Sequence, residues 1–144
     1  MEYEQAIHSD LDAIKGLLES YGLPAGDFKD HLINFIVAKE SNEIIGVGGY
    51  ETSKEYALLR SFAVKTSHKD LGIAEEIFKL VEEQAINSGV KGFYLLTDTA
   101  IKYFERFEFY ECSRDNAPES IRKTKQFSEL CPDTAAMMYK ALCE

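Results

Sequence analysis

The chain has 144 residues, 45% of them hydrophobic and 12% aromatic, with a formal net charge of -9. That length suits one domain around one buried core, and the composition excludes a disordered chain. The acidic balance excludes general nucleic-acid affinity, which needs clustered Lys and Arg, and no apolar run approaches the roughly 18 residues of a membrane span. Cys112, Cys131 and Cys143 fit no zinc spacing and are odd in number, so reduced thiols are expected rather than disulfides or a metal site. The N-terminus MEYEQAIHSDLD lacks the basic-then-apolar pattern of a leader, from which a cytoplasmic protein is expected.

In chain order, Met1–Ile7 reads as a short strand. Ser9, with an acid three positions on at Asp12, reads as the capped start of a helix whose apolar face is Leu11, Ile14, Leu17 and Leu18. Gly22 and Pro24 stop it, and Asp27–His31 predicts a second short helix. Ile33–Ala38 and Glu43–Tyr50 are strands about a Ser41-Asn42 turn, and Gly48 with Gly49 marks either a bulge or a close approach to the backbone. Tyr56–Val64 is the next strand, so three in series predict an antiparallel meander. Arg60 interrupts it with a charge that burial would oblige to find an anion or water.

Thr66 to Asp70 then break the apolar run. From Ile73 the apolar residues recur at Ile77, Leu80, Val81, Ala85 and Ile86, the period of an amphipathic helix that Gly89 ends. Gly92–Thr97 has few polar residues, which predicts a central strand, reached by a right-handed crossover if it is parallel to its predecessor. Ala100–Phe107 is a short helix, Phe109–Cys112 a strand and Pro118–Phe127 a helix, and Ala135–Leu142 closes the sheet. The fold class is α/β (α+β): a single domain over residues 1–144, with a mixed, mostly antiparallel sheet of about six or seven strands and helices on both faces.

The junction before the long helix has chemical consequences. The first N–H groups of a helix have no acceptor within it and carry partial positive charge, so a glycine that lets a pyrophosphate approach turns this point into an anion site. The alternative is an ordinary helix start, with Ser67 or Asp70 as its cap.

Lys69-Asp70-Leu71-Gly72-Ile73-Ala74 has the spacing Gln/Arg-x-x-Gly-x-Gly/Ala and resembles the acyl-CoA pyrophosphate loop of the GCN5-related N-acetyltransferase superfamily. About 30 residues on, Thr99–Phe109 is similar to that superfamily's second signature, Ala-x-x-Phe-Tyr-Glu-Lys-Leu-Gly-Phe. Leu59–Val64, Leu95–Ala100 and Ile121–Pro132 resemble a narrower branch, the arsenic-resistance N-acetyltransferase-like proteins, which are in turn similar to the acetyltransferase domain of acetylglutamate synthase.

The resemblance implies acetyl-CoA as acyl donor and the amine of a small molecule as acceptor, an amino acid or a related oxyanion-bearing amine. It implies cofactor contacts at Phe62, Ala63, Val64, Lys69, Asp70, Leu71, Gly72, Ile73, Ala74, Thr97, Phe104 and Arg106. Arg60 and Ser61 would face the acceptor. The family's proton-donating tyrosine falls at Phe104, leaving Tyr103 beside it as the acid. Asp70 and Glu108 stand where the family has glycines, and Glu75 where it often has an arginine. These departures keep open a second reading, a non-catalytic binding or sensory module of the same fold with weakened CoA affinity.

Arg60 is expected either to clamp an oxyanion in two parallel hydrogen bonds or to pair with one of the 25 acids. Cys131 is either a small buried residue or a thiol facing the same cleft. His8, His31 and His68 have no metal spacing and no assigned role, and the apolar C-terminal strand suits pairing within a homodimer.

Overall fold

The computed structural model of the chain describes residues 1–23, 25, 28–97, 100–124 and 135–142. Asp27, Cys131, Cys143 and most of the Ile121–Pro132 segment lie outside the described residues. The chain forms two compact units, Met1–Glu51 with Arg60–Gln84 and Thr52–Leu59 with Ala85–Glu144. Seven strands form one sheet: β1 (Glu2–Gln5), β2 (Phe35–Glu40), β3 (Glu43–Ser53), β4 (Tyr56–Val64), β5 (Gly92–Thr97), β6 (Tyr110–Cys112) and β7 (Ala136–Ala141), hydrogen-bonded in the order β1-β2-β3-β4-β5-β7-β6. Among the described residues four helices accompany them: α1 (Leu11–Ser20), α2 (Ile73–Asn87), α3 (Ile101–Glu105) and α4 (Glu119–Arg122). Among the described residues no helix is long and apolar enough to cross a membrane.

In the first unit, the start of α1 differs from the expected cap. Asp10, not Ser9, precedes the helix, and its carboxylate accepts a hydrogen bond from the Ile7 N–H at 2.9 Å while Lys39 Nζ stands 3.2 Å away. The helix ends as the sequence suggests: Gly22 takes φ 68, and the Leu23 N–H reaches back to the Leu18 carbonyl. β2 and β3 form a hairpin about Ser41 (φ 52) and Asn42 (φ 67), the paired left-handed residues of a tight turn.

Ile14, Leu17 and Leu18 of α1 bury against Phe35, Val37, Val47 and Ala63. A Cβ on the neighbouring Gly46 would instead meet Ile73 and Ile77 of α2 at 3.1 Å. Side chains alternate along a strand, so α1 and α2 cover opposite faces. Gly48 and Gly49 mark close approach rather than an unfilled bulge: the Phe62 ring lies where a Gly48 Cβ would be, at 2.6 Å, and the Phe35 ring does the same at Gly49.

In the second unit, Tyr56–Leu58 of β4 pair in parallel with Gly92–Tyr94, and the other edge of β5 is taken along its length by antiparallel β7. β6 then pairs with the far edge of β7, Tyr110 opposite Tyr139. The C-terminal strand therefore does not close the sheet; it inserts between β5 and β6. β6 occupies the far edge of β7 at Met137–Tyr139. Local patterning carries no information on strand order, and this is why the expectation failed.

The face shared by these strands carries a ladder of rings. Tyr56, Tyr94, Tyr139 and Tyr110 follow one another at centroid distances of 5.7, 4.7 and 5.8 Å. Burial, then the neighbouring phenols, push the Tyr94 hydroxyl up to about 12. Ala117 and Ile121 cover the adjoining Leu58 and Met137.

α3 stops at Glu108, whose φ is 71. The Phe109 N–H bonds the Phe104 carbonyl and the Glu108 N–H that of Glu105, so Glu108 occupies the left-handed position that ends many helices and is usually glycine. A β-carbon there costs about 1 to 2 kcal/mol, partly offset because glycine is freer when unfolded. Glu108→Gly is therefore expected to stabilise the protein by about 0.5 to 1 kcal/mol. Urea unfolding would read this as a raised midpoint at constant slope, and a lowered midpoint would refute it.

Candidate functional site

Ser61, in the middle of β4, has φ 62. A side chain in the left-handed region inside a strand marks a bulge, which breaks the regular ladder and re-aims the backbone that follows. Phe62, next in sequence, lies across Gly48 and tilts against Phe78 at 6.4 Å. Ala63 points into the core beneath α1. The Val64 carbonyl accepts a hydrogen bond from the Tyr21 hydroxyl at 2.5 Å, which ties the end of β4 to the end of α1.

The loop that follows is held from both sides. Ser67 does not cap α2; its hydroxyl lies 2.8 Å from His68 Nδ1, and His68 Nε2 lies 3.0 Å from Glu40, anchoring the turn Thr66–His68 to β2. Lys69 Nζ sits 5.2 Å above the Tyr21 ring. Asp70 and Gly72 both take left-handed backbone, φ 65 and 78, immediately before α2 begins at Ile73. Such a left-handed step before a helix turns successive N–H groups towards one side, as anion-binding nests do. The Glu76 N–H bonds back to the Gly72 carbonyl, so Gly72 supplies the first carbonyl of the helix ladder, and the start of any such ladder directs N–H groups outward.

The side chains around this backbone are acidic. A Cβ on Gly72 would meet Glu75 Oε2 at 3.3 Å, so the Glu75 carboxylate reaches back to Gly72, and Asp70 is a second acid in the loop. Leu71, 67% exposed, stands outward.

Arg60 is where the sequence placed a charge in need of a partner, and the partner is Glu51. Arg60 Nη1 donates to Glu51 Oε2 at 2.9 Å, with side-chain exposures of 0% and 5%. Arg60 Nε donates to Ser61 Oγ at 3.0 Å, so the pair reaches the bulge. His31 Nε2 stands 3.8 Å from the same Glu51 oxygen and is 30% exposed. Sequence reasoning passed over Glu51 and His31. The usable signal was an acid near the end of the strand expected to lie beside that of Arg60.

Arg60, Ser61, Phe62, Ala63, Val64 and Lys69 to Ala74 all belong to the first unit. Thr97, Tyr103, Phe104 and Arg106 belong to the second. There the Thr97 hydroxyl accepts from the Ala100 N–H at 3.0 Å and steadies the entry to α3. The half-buried Tyr103 ring meets Phe104 and Phe107 edge-on at 5.3 and 5.2 Å, with the Arg106 guanidinium 5.6 Å from its centroid. Phe104 packs on Phe109 at 5.7 Å. Burial pushes the Cys112 thiol up, which suits a packing residue rather than a nucleophile.

A family model described as Acetyltransferase (GNAT) family matches residues 3–109. Among solved structures the chain is similar to N-acetylglutamate synthase from Neisseria gonorrhoeae complexed with coenzyme A and N-acetyl-glutamate. The identity is 19% and the TM-score 0.85, over 99% of this chain and 35% of that one. The chain thus spans about a third of that enzyme's length. It is also similar to a Mycobacterium tuberculosis protein in complex with CoA and NLQ, with 19% identity and TM-score 0.83 over 98% and 99% of the two chains. A third similar structure is an acetyltransferase of GNAT family from Staphylococcus aureus, with 18% identity and TM-score 0.79 over 98% of each. No curated protein matches the sequence. At such identities the structural likeness carries the fold, and the family model, matching more than half of the chain, carries membership: this chain belongs to the GNAT acetyltransferase family.

Proposed function

We propose that the protein is an acetyl-CoA-dependent N-acetyltransferase acting on the amine of a small molecule, an amino acid or a related amine bearing an oxyanion. The observation that carries the reading is the anion-binding backbone at Asp70–Ala74, directly after a strand bulged at Ser61, in a chain of this family. The complex of a similar structure with N-acetyl-glutamate supports an amino-acid-like acceptor.

In this reading the N–H groups of the α2 start hold the diphosphate, with Lys69 beside them. The backbone of Phe62, Ala63 and Val64, re-aimed by the bulge, meets the pantetheine arm and the acetyl carbonyl, where strand N–H groups stabilise the oxyanion. Ser61 marks the acceptor end, with Arg60 held behind it in its pair with Glu51. Tyr103 gives the departing thiolate its proton, and with Thr97, Phe104 and Arg106 it enters the proposal on the resemblance of its segment. The amine attacks the thioester carbon directly, so no covalent enzyme intermediate is needed.

Calorimetric titration with acetyl-CoA is expected to show one site with micromolar affinity. No heat up to millimolar acetyl-CoA would overturn the reading.

A further inference from the structure

We propose that His31 takes the proton of the acceptor amine, with Glu51 facing its ring and Arg60 holding Glu51 in place. This rests on the acetyltransferase reading.

Three observations converge on it. Glu51 is a buried carboxylate facing an imidazole that keeps an open edge: His31 Nε2 stands 3.8 Å from Glu51 Oε2, and His31 is 30% exposed against 5% for Glu51. His31 is also the one residue with non-helical backbone within the turn Phe28–Asn34, at φ -118 and ψ 15, so the chain kinks where this ring sits. Finally, the polar side chains continue from Glu51 through Arg60 to Ser61 Oγ at the bulge, next to the Phe62 backbone assigned to the thioester.

The chemistry follows from the arrangement. The Arg60 guanidinium holds Glu51 Oε2 at 2.9 Å and so fixes the carboxylate that faces the ring. With Nε2 turned towards that carboxylate at 3.8 Å, Nδ1 is the ring nitrogen left to accept a proton. As the amine nitrogen bonds to the acetyl carbon, its N–H bond breaks and the proton passes to Nδ1. The C–S bond then breaks, the thiolate takes a proton from solvent, and His31 returns its own to solvent through its exposed edge. Among the described residues, the charged groups placed against His31 by ion-pair distance are Glu51 and, behind it, Arg60.

The test uses the full chain with acetyl-CoA and a mixture of the twenty amino acids, N-acetyl products being read by mass spectrometry and thiol release by absorbance. Wild type is expected to form at least one N-acetyl amino acid, with kcat/KM rising through a single ionisation as pH increases. His31→Gln is expected to lower kcat by about 10²- to 10⁴-fold, to remove that ionisation from the profile, and to leave acetyl-CoA affinity unchanged. Glu51→Gln is expected to lower kcat while leaving acetyl-CoA affinity unchanged. If that variant does not fold, His31→Asn supplies the second profile, with the same loss of rate and ionisation expected. An active wild type whose rate and pH profile survive His31→Gln overturns this proposal alone. Bound acetyl-CoA with no product from any amino acid overturns the amino-acid acceptor reading and this one with it.

Discussion

Glu51→Ala is expected to lower the free energy of unfolding by about 3 to 5 kcal/mol, because it strips a buried guanidinium of its carboxylate. The Arg60 side chain is fully buried and Glu51 is 5% exposed, so neither charge can turn to water once the other is gone. Measured against a total stability of about 5 to 15 kcal/mol for an ordinary domain, such a loss is a third or more. Removing both charges is a different experiment. In Glu51→Leu with Arg60→Met, the desolvation penalty disappears together with the attraction, and buried pairs replaced by apolar residues of similar volume are often neutral or more stable. Urea unfolding of the two single variants and the double would show this as a large coupling energy. A Glu51→Ala protein within about 1 kcal/mol of wild type would mean that the pair carries little of the fold, and Arg60 would again be open to an acceptor's oxyanion.

How much of this could be read from the chain depends on the range of the interaction. α2 was legible because Ile73, Ile77, Leu80 and Val81 repeat with the helical period, and it runs Ile73–Asn87 as its apolar face predicts. Arg60 was legible as a charge needing an anion or water, because the strand is apolar on both sides of it. Its partner was not: Glu51 lies on another strand, and which of the 25 acids arrives there depends on register and on the bulge at Ser61. The left-handed residues show the opposite limitation. Where glycine is retained, as at Gly72, the conformation can be suspected; Asp70 and Glu108 adopt it without glycine, and the sequence read them only as departures that weaken CoA affinity. They keep the backbone and change the charge. The insertion of β7 between β5 and β6 had no local signal, since Ala136–Ala141 looks the same at an edge or inside a sheet.

The backbone at the α2 start is thus preserved while its charge is inverted, and this sets the largest expected change in affinity. Asp70→Gly combined with Glu75→Arg is expected to tighten acetyl-CoA binding at least tenfold. Asp70 contributes a carboxylate beside the diphosphate's proposed seat, and Glu75 folds a second one over Gly72. Two unit charges about 4 Å apart repel by about 1 kcal/mol in water and about 4 kcal/mol near a protein surface, and tenfold in affinity requires only about 1.4 kcal/mol. Glycine at position 70 keeps φ 65 without strain, so the nest survives the substitution. Arginine at position 75 has an identifiable cost, because an acid in the first turn of a helix favours it through the dipole by about 0.3 to 1 kcal/mol. The double variant should therefore melt slightly lower than wild type without ligand and bind acetyl-CoA more tightly, two opposite shifts that a general gain in stability would not produce. The affinity difference should also narrow as salt is raised, since screening weakens repulsion between exposed charges. Affinity unchanged or weakened in calorimetry would show that Asp70 and Glu75 satisfy the free N–H groups of the helix start themselves, and the diphosphate would have to be held elsewhere.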